Sequence, residues 1–442
     1  MAIEISDHFT YPRLIRFVLP SMAMMVFTSI YGVVDGLFVS NCVGKTAFAS
    51  INLIMPFFTI IATFGFMLGT GGSALVAKKM GEGKNQDANE IFTMLVAAAF
   101  CFGILLCLIL FNFIEPICRL LGATDSMLPY CITYGRITLI FNTAFFMQNM
   151  FQSFMIAASK PKLGFMITIG AGITNMILDA LLVWYLQMGV FGAALATGIS
   201  QSVGGFLPLL YFVFDKNSTL RFTRLRLRLK DFGQACFNGI SEFLSNASSS
   251  VIGLVYNLQL LRFAGENGVA VYGVIMYVSW IFYAIIIGYS IGSAPIFSYH
   301  YGAENHDELR NMLKKSLVIM GALGVLMTVG MGLLAKPFTA LYIGYDGEVL
   351  RMSRQAAYIF MYTYLFTTFN IFASSFFTAL NNGLVSGTIS FLRTFVFQLL
   401  ALLILPEFFG LQGIYSASVV ADALCLGVSA YFIISRRKQY GY

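Results

Sequence analysis

The chain has 442 residues, of which 58% are hydrophobic and only 11% are charged, against roughly 25% charged residues in an average soluble protein. This balance excludes an ordinary soluble enzyme. Apolar stretches of about twenty residues recur between Leu14 and Ile434, and each is long enough to cross a hydrocarbon layer of about 30 Å as a helix. The alternating ten-residue segments of a membrane β-barrel are missing, so we expect an all-α membrane protein.

Hydropathy and turn residues predict twelve transmembrane helices. The first apolar stretch is too long for a signal peptide and lacks a small-residue cleavage pattern, so we expect it to remain as span 1. The predicted ranges of the spans are 14–40, 48–78, 88–114, 128–157, 162–185, 190–214, 233–262, 268–298, 311–335, 352–380, 384–405 and 411–434.

The basic residues predict the orientation of these spans. Of the 27 Lys and Arg residues, 19 fall on the face that carries both termini and six fall on the opposite face. The positive-inside rule therefore predicts a multi-pass protein of the cell membrane with both termini in the cytoplasm. Arg136 and Arg393 are the two that lie inside predicted spans. Topology and contact with anionic lipid headgroups explain the net charge of +7, and no nucleic-acid partner is needed.

The densest basic segment, residues 221–230, alternates Arg or Lys with apolar residues. We interpret it as a linker that lies on the membrane surface and stops translocation, in preference to a regulatory binding site. The predicted domain organisation is an N-terminal lobe of residues 1–215 with spans 1–6, a basic cytoplasmic linker of residues 216–231, and a C-terminal lobe of residues 232–442 with spans 7–12.

The two lobes are related by an internal repeat. An offset of 221 residues aligns structural residues in spans, loops and helix ends without a gap. Because each half has six spans, the halves are parallel repeats with a substrate path expected between them, which is typical of transporters. The aligned pairs are Gly32 with Gly253, Gly44 with Gly265, Ala49 with Ala270, Gly71 with Gly292, Gly81 with Gly302, Pro116 with Pro337, Ala158 with Ala379, Gly189 with Gly410 and Gly192 with Gly413.

Four polar residues of the N-terminal half are candidates for cation coupling. Helix rise places Asp35, Asp179 and Thr197 at one depth, and Asn175 shares the helix face of Asp179. Intramembrane carboxylates are costly, which favours a functional role. Their oxygens suit Na+, and two close carboxylates can instead share a proton. The alternative is that Asn175 and Asp179 join helices by hydrogen bonds while Asp35 faces a wet vestibule.

A second polar group is predicted at mid-depth in the C-terminal half, where Glu242, Arg393 and Asp422 fall inside spans. One cation between two carboxylates can form a structural ion-pair network or a substrate or proton site, and both readings stay open. Arg136 has no evident partner. Pro20 lies six residues inside span 1, where it removes a backbone hydrogen bond, so it is either a hinge or a packing kink.

Cysteine and histidine do not indicate a cofactor or a transition-metal centre. The seven cysteines are scattered and odd in number, and His8, His300 and His306 are not at ligand spacing, so neither a disulfide framework nor a metal site is predicted. The chain contains no HExxH motif and no evident nucleophile–base constellation, which argues against a membrane enzyme acting on lipid. We therefore expect no cofactor and no enzymatic activity.

The span-1 sequence LPSMAMMVFTSIYGVVDGLFVSNCVG, the pattern Asn175-x-x-x-Asp179 and Thr197 eighteen residues later resemble the multidrug and toxic compound extrusion (MATE) family. The resemblance covers essentially the whole chain, and the N-lobe positions are similar to the cation site of the bacterial DNA-damage-inducible branch. The stretches GTGGSALVAKKMGEG and GSAPIFSYHYGAEN resemble the paired ends of spans 2 and 8 in that family.

The resemblance implies Na+- or H+-driven antiport of amphipathic, often cationic, compounds out of the cell by two alternating lobes. Some members have a C-lobe cation site with acids in spans 7 and 10, but predicted span 10 has no carboxylate here. The alternative is a lipid-linked oligosaccharide flippase of the same wider superfamily, although such flippases often have more spans and a strongly cationic cavity. We expect a monomeric exporter whose substrate and coupling ion, Na+ or H+, are not determined by the sequence.

Overall fold

The computed structural model of the chain describes residues 3–215, 218–343 and 347–442, and the regular structure in these ranges is helical. The N-terminal lobe consists of spans 1 to 6. In chain order these are Tyr11–Cys42, Lys45–Gly81, Asn85–Leu120, Leu128–Ala157, Pro161–Leu178 continued by Asp179–Tyr185, and Gly189–Phe214.

The C-terminal lobe begins with the short helix Leu229–Asn238. The next helical segment, Ile240–Gly302, has 63 residues and is interrupted at Gly265, where φ is 60° and ψ is −152°. A straight helix of that length would extend about 95 Å, about three bilayer thicknesses, so the interruption divides it into spans 7 and 8. Spans 9 to 12 are His306–Ile343, Gly347–Phe360 with Thr363–Ala379, Gly383–Phe409, and Leu411–Ser435.

Hydropathy alone identifies fewer membrane helices than the fold contains. Among the described residues, nine helices are long and apolar enough to cross a membrane, or ten if Leu350–Phe360 and Thr363–Ala379, bent by 47°, form one span. Spans 4 and 7 are the two that this criterion omits. Both carry buried polar side chains, such as Gln148 in span 4 and Ser248 in span 7, that face neighbouring helices rather than lipid. With these two included, the predicted twelve-helix, two-lobe fold is confirmed.

The 221-residue repeat is visible in the backbone. Gly44 and Gly265, which the repeat aligns, have φ values of 113° and 60° at the turn between the first two spans of each lobe. Gly189 and Gly410, which are also aligned, have φ values of 60° and 56° before the last span of each lobe. Positive φ is readily adopted by glycine alone. The two lobes therefore share their unusual turns as well as their helix order.

The two lobes touch through the second span of each. A methyl group on Gly81 would collide with the carbonyl oxygen of Tyr299, and one on Gly302 would collide with the carbonyl oxygen of Lys78. The repeat aligns Gly81 with Gly302 and Lys78 with Tyr299. The two contacts are therefore one contact repeated across a pseudo-two-fold axis, and the lobes are in direct backbone contact at these helix ends.

Both chain ends lie beside the start of span 9. The Phe9 N–H donates to Glu308 at 2.9 Å, and the His306 ring nitrogen Nδ1 lies 3.1 Å from the carbonyl oxygen of Tyr440. The termini thus share one face of the molecule, as an even number of spans requires. We call it the terminal face, and the contacts between spans 2 and 8 close it in this structure.

The observed helices depart from the predicted ranges in two respects. Most are longer, because polar turns continue the helix beyond its apolar part; span 3 covers Asn85–Leu120 where hydropathy predicts 88–114. In addition, spans 5 and 11 widen into π-helix at Asp179–Tyr185 and Leu392–Val396. These wide turns contain the candidate site residues Asp179 and Arg393, and π-helical turns often occur at functional sites.

Candidate cation-coupling site

Two carboxyl groups from different helices meet in the N-terminal lobe. Asp179 is fully buried at the start of the π-helical part of span 5, and Asp35 is half-buried on span 1. The two carboxyl groups act on one another across the two helices, and a single proton placed between them would form a hydrogen bond. Two ionised carboxylates this close repel each other unless a cation or a proton lies between them.

The oxygen atoms of this site lack donors in the part of the chain that the structure describes. Asp35 Oδ1, both carboxylate oxygens of Asp179, Asn175 Oδ1 and Thr197 Oγ1 are buried and have no hydrogen-bond partner there. Buried polar atoms are almost always paired, and each unpaired one costs about 1–3 kcal/mol. Oxygen atoms are the ligands that hard cations prefer. The donor set therefore fits a small cation or a shared proton.

Local structure explains how the helices present these groups. The backbone N–H of Asp179 donates to the carbonyl oxygens of both Asn175 and Met176, which marks the point where span 5 changes its winding. Span 5 also approaches span 1 closely, because a methyl group on Gly172 would lie 3.1 Å from the ring of Tyr31. This approach brings the carboxyl group of span 5 to that of span 1, Asp35.

The N-terminal lobe also contains polar residues that the charge-based sequence reasoning did not select. The phenol groups of Tyr31 and Tyr134 lie within electrostatic range of Asp35. Spans 4 and 6 add buried side-chain atoms without a hydrogen-bond partner in the described residues. These belong to Thr138, Asn142, Gln148 and Gln201. Their sequence signal is an uncharged polar residue inside an apolar span, which is weaker than that of a carboxylate.

The polar group of the C-terminal lobe is an ordered network. Arg393 donates a hydrogen bond to Thr367 Oγ1 at 3.0 Å, and its guanidinium lies 3.9 Å from the carboxylate of Asp422. Asn370 donates to the Asp422 carbonyl at 2.8 Å and to its carboxylate at 3.3 Å. The amide oxygen of Asn370 accepts from Ser429 at 2.9 Å. The structure thus brings two of the three predicted residues together, with neutral partners around them.

Glu242, the third predicted residue, occupies a different position from the one expected. It lies in the first turn of the helix that begins at Ile240, after a break at Gly239, whereas the sequence predicts it about ten residues into span 7. A helix N-terminus stabilises a carboxylate, which reduces the cost of placing Glu242 there. It lies within the electrostatic range of Arg393, without an ion pair to it among the described residues.

Arg136 and Pro20 lie outside both groups. Arg136 is exposed on span 4, with its guanidinium 5.3 Å from the ring centroid of Phe111, so it faces outward rather than toward the interior. Pro20 precedes Ser21, whose side chain packs 3.2 Å from the position of a methyl group on Gly292. Span 1 remains helical through Pro20, and a hinge at this residue stays a prediction.

Comparison with known proteins assigns the family. The family model described as MatE matches residues 20–181 and 243–403, which is more than half of the chain. The chain belongs to the MatE family. The second match begins 223 residues after the first and ends 222 residues after it, in agreement with the 221-residue repeat. The family predicted from spans 1, 5 and 6 is thereby confirmed.

Relatives and solved structures agree with this assignment. The multidrug export protein MepA of Staphylococcus haemolyticus is 24% identical over 97% of this chain and 94% of its own length. MepA of Staphylococcus aureus strain MSSA476 is 23% identical over 94% of this chain and 91% of its own length. Since these relatives are multidrug export proteins, this MatE protein is a multi-pass membrane transporter and not an enzyme.

The fold is similar to that of solved transporters. A structure described as the outward-facing conformation of a multidrug resistance MATE family transporter is 20% identical and has a TM-score of 0.92, covering 98% of this chain and 97% of that one. A MOP superfamily transporter from Pyrococcus furiosus, also 20% identical, has a TM-score of 0.91 and covers 98% of both chains. At this identity the similarity concerns the fold.

Proposed function

We propose that this MatE protein is a secondary active multidrug exporter, a cation-coupled antiporter of amphipathic, cationic organic compounds. The observation that carries the proposal is the meeting of Asp35 and Asp179 among buried oxygens without donors. A structural ion pair would need a basic partner, and hydrogen-bonding residues that merely join helices would be paired with each other. Orphaned oxygens around two like charges fit a site that is completed by an ion.

The ion, Na+ or H+, couples to the helices through repulsion between the two carboxylates. With an ion bound, Asp35 and Asp179 stay together and hold span 1 against span 5. Without it, two unit charges about 4 Å apart at an effective dielectric constant near 20 repel by about 4 kcal/mol. This energy is enough to shift the equilibrium between two conformations by more than a hundredfold. Ion binding and release therefore change the preferred arrangement of spans 1 and 5.

Charge and aromatic side chains between the lobes favour organic cations as substrates. Phe64 of the N-terminal lobe lies 5.6 Å from Phe243 of the C-terminal lobe, measured between ring centroids, and aromatic faces attract cations. In the predicted mid-depth group of the C-terminal lobe, two carboxyl groups, those of Glu242 and Asp422, accompany one guanidinium, that of Arg393. The relatives' name, multidrug export protein, supports small organic compounds as substrates. Arg136 faces outward, so it does not contribute to the strongly cationic cavity that the flippase alternative would need.

We place the terminal face in the cytoplasm and the basic linker at the lipid surface. Residues 221–228 have no regular secondary structure, and the leucines at every second position up to the start of the next helix, Leu225, Leu227 and Leu229, are 56%, 79% and 76% exposed. Such a row of outward leucines suits an apolar environment, while the adjacent exposed Arg224 and Lys230 suit anionic headgroups. This arrangement supports cytoplasmic termini, and it is consistent with the proposed division into residues 1–215, 216–231 and 232–442.

Transport in proteoliposomes with separately imposed gradients tests the proposal. We expect efflux of a cationic dye to be driven by an inward Na+ gradient, an inward proton gradient, or both, and to stop when the gradient is collapsed. The matched control is the Asp35→Asn, Asp179→Asn double variant, which keeps the shape of the site and removes its charge. Gradient-independent dye movement, or equal transport by the double variant, would overturn the assignment of the coupling site.

A further inference from the structure

A segment before span 1 connects the two lobes at the terminal face. Glu308 of span 9, only 6% exposed, accepts hydrogen bonds from the Phe9 N–H at 2.9 Å and from His8 Nδ1 at 2.5 Å. The same segment reaches the N-terminal lobe, where the Ile5 N–H donates to Ser159 Oγ at 3.1 Å. Residues 3–10, here named the N-terminal strap, thus bind both lobes at once.

A segment before span 7 is held in a corresponding way. Arg228 lies 2.9 Å from Asp87, and Arg226 lies 3.2 Å from Glu90, both on span 3. Glu90 is only 4% exposed. Residues 218–231, here named the linker strap, are therefore docked on the N-terminal lobe by two ion pairs before the chain enters the C-terminal lobe. The sequence predicts a surface-lying linker, and the structure adds that two of its arginines, Arg226 and Arg228, are paired with acids of the protein.

The 221-residue repeat relates these two sets of contacts. It aligns Asp87 with Glu308 and Glu90 with Asn311, and all four side chains hold a strap. Asn311 donates to the Phe9 carbonyl oxygen at 3.1 Å. In both lobes the carboxylate lies in the first turn of the third span, where the helix N-terminus favours negative charge. The contacts occur twice, at equivalent positions, and each fixes the segment that leads into the first span of a lobe.

We propose that the two straps are latches that keep the terminal face closed, and that the N-terminal strap leaves Glu308 when this face opens. The compact strap joins Ser159 of one lobe to Glu308 of the other, and a turn from the Glu4 N–H to Asp7 keeps it short. When the lobes separate at this face, the strap must lose one of its two contacts or unfold its turn. The proposal rests on the alternation of the lobes in the proposed function, but not on the coupling ion.

Release from Glu308 is costly enough to influence the conformational equilibrium. The carboxylate is buried and accepts from His8, Phe9 and Asn311. Hydrogen bonds to charged groups are stronger than those between neutral groups. The carbonyl oxygen of Phe9 also accepts from Lys315 at 2.7 Å. These contacts stabilise the closed terminal face over an open one, so weakening them increases the open population.

Spin-label distances test the latch without substrate or coupling ion. Labels on Asn85→Cys and Ala303→Cys, exposed positions of opposite lobes at the terminal face, report its opening in nanodiscs, in a background without the seven native cysteines. For Glu308→Ala we expect about a tenfold increase in the long-distance population, the effect of losing hydrogen bonds to one charged group. The matched control, Asp307→Asn, removes a neighbouring exposed charge and should leave the distances unchanged. Unchanged distances in Glu308→Ala, or an equal shift in the control, would overturn the proposal.

A crosslink tests release in a protein that keeps all the strap's anchoring residues. Ser6 of the strap and Asn305 before span 9 line one cavity of about 560 Å³, so Ser6→Cys and Asn305→Cys can be joined by a short bifunctional thiol reagent. We expect the joined protein to lose transport at least tenfold and to recover it on reduction, while either single cysteine variant treated alike stays active. Full transport with the crosslink in place would show that the strap does not leave span 9. Loss of gradient coupling in the Asp35 and Asp179 variants has no bearing on this result, so the two proposals fail separately.

Discussion

The two lobes place different chemistry at equivalent positions. The repeat aligns Asp35 with Tyr256 and Thr197 with Ser418. In the C-terminal lobe, the Tyr256 and Ser418 hydroxyls hydrogen-bond at 2.6 Å, and Gln398 donates to both. In the N-terminal lobe, Asp35 Oδ1 and Thr197 Oγ1 are left without a partner in the described residues. In the C-terminal lobe a neutral hydrogen bond is enough for the fold at this position. We therefore infer that the charge of Asp35 in the N-terminal lobe has a role other than stabilising the fold.

The comparison holds at a second pair of positions. The repeat aligns Gln201 with Asp422 and Asn149 with Asn370. In the C-terminal lobe this pair is joined, because Asn370 hydrogen-bonds to Asp422, whose charge is compensated by Arg393. In the N-terminal lobe, Gln201 and Asn149 each keep a buried atom without a partner in the described part of the chain. In the C-terminal lobe the charge of Asp422 is balanced by a residue of the protein. In the N-terminal lobe the corresponding polar atoms are left for an ion to pair with.

The largest expected difference between the lobes is at the aligned pair Asp35 and Tyr256. We expect Asp35→Asn to reduce gradient-driven efflux by about 100-fold, near the upper end of coupling free energies between sites, with expression unchanged. Tyr256→Phe, the control at the equivalent position, should reduce it less than about threefold, since it removes a neutral hydrogen bond. Dye efflux from proteoliposomes at equal protein content measures both. Similar losses in the two variants would mean that both lobes need this position only for packing.

The second difference concerns the partly buried pair Arg393 and Asp422. We expect Arg393→Gln to lower the free energy of unfolding by about 3 kcal/mol, because it leaves the Asp422 carboxylate without its compensating charge. Adding Asp422→Asn should restore more than half of this loss. Thermal unfolding in detergent measures the change. If the double variant is no more stable than Arg393→Gln but has lost transport, the group is a substrate or proton site and not a structural network.

The twelve helices and the meeting of Asp35 with Asp179 could be predicted from the sequence because each follows from a property of the bilayer. Bilayer thickness sets the length of every span, and the high cost of a carboxylate in the membrane singles out Asp35 and Asp179. Equal depth on two helices then predicts that the two side chains meet, which the structure shows. Their role as the coupling site stays a prediction.

Other features depend on local backbone or on distant side chains, which hydropathy does not report. The break at Gly239 moves Glu242 to a helix start, and the π-helical turn at Asp179 replaces a regular one. The hydrogen bond of Glu308 to Phe9 joins residues 299 positions apart. A single sequence gives the residues of such a contact without indicating that they pair. The repeat could have pointed to it, since it aligns Glu308 with the acid Asp87.

A smaller effect is expected at Thr197 and its equivalent Ser418. Thr197→Val removes one uncharged oxygen from the proposed ion site, so we expect the concentration of Na+ or H+ needed for half-maximal efflux to rise by about tenfold. Ser418→Ala removes a hydrogen bond within a satisfied network and should lower stability by about 1 kcal/mol without changing the ion dependence. Efflux as a function of Na+ and of pH, with thermal unfolding in parallel, separates the two. If only Ser418→Ala changes the ion dependence, the ion site lies in the C-terminal lobe, and its assignment to the N-terminal lobe is wrong.

The smallest effect is expected at Pro20, which the repeat aligns with Ser241. Pro20 removes one backbone hydrogen bond from span 1, below Asp35 and beside the contact of Ser21 with span 8. Ser241 lies in the first turn of the helix that begins at Ile240 and removes no hydrogen bond from it. We expect Pro20→Ala to slow efflux by about two- to fivefold by stiffening span 1, with the ion dependence unchanged because no ion ligand is lost. Ser241→Ala should change neither the efflux rate nor the ion dependence. If Pro20→Ala lowers stability and leaves the efflux rate unchanged, the proline contributes to packing, and the difference between the lobes is confined to the side chains that hold the ion.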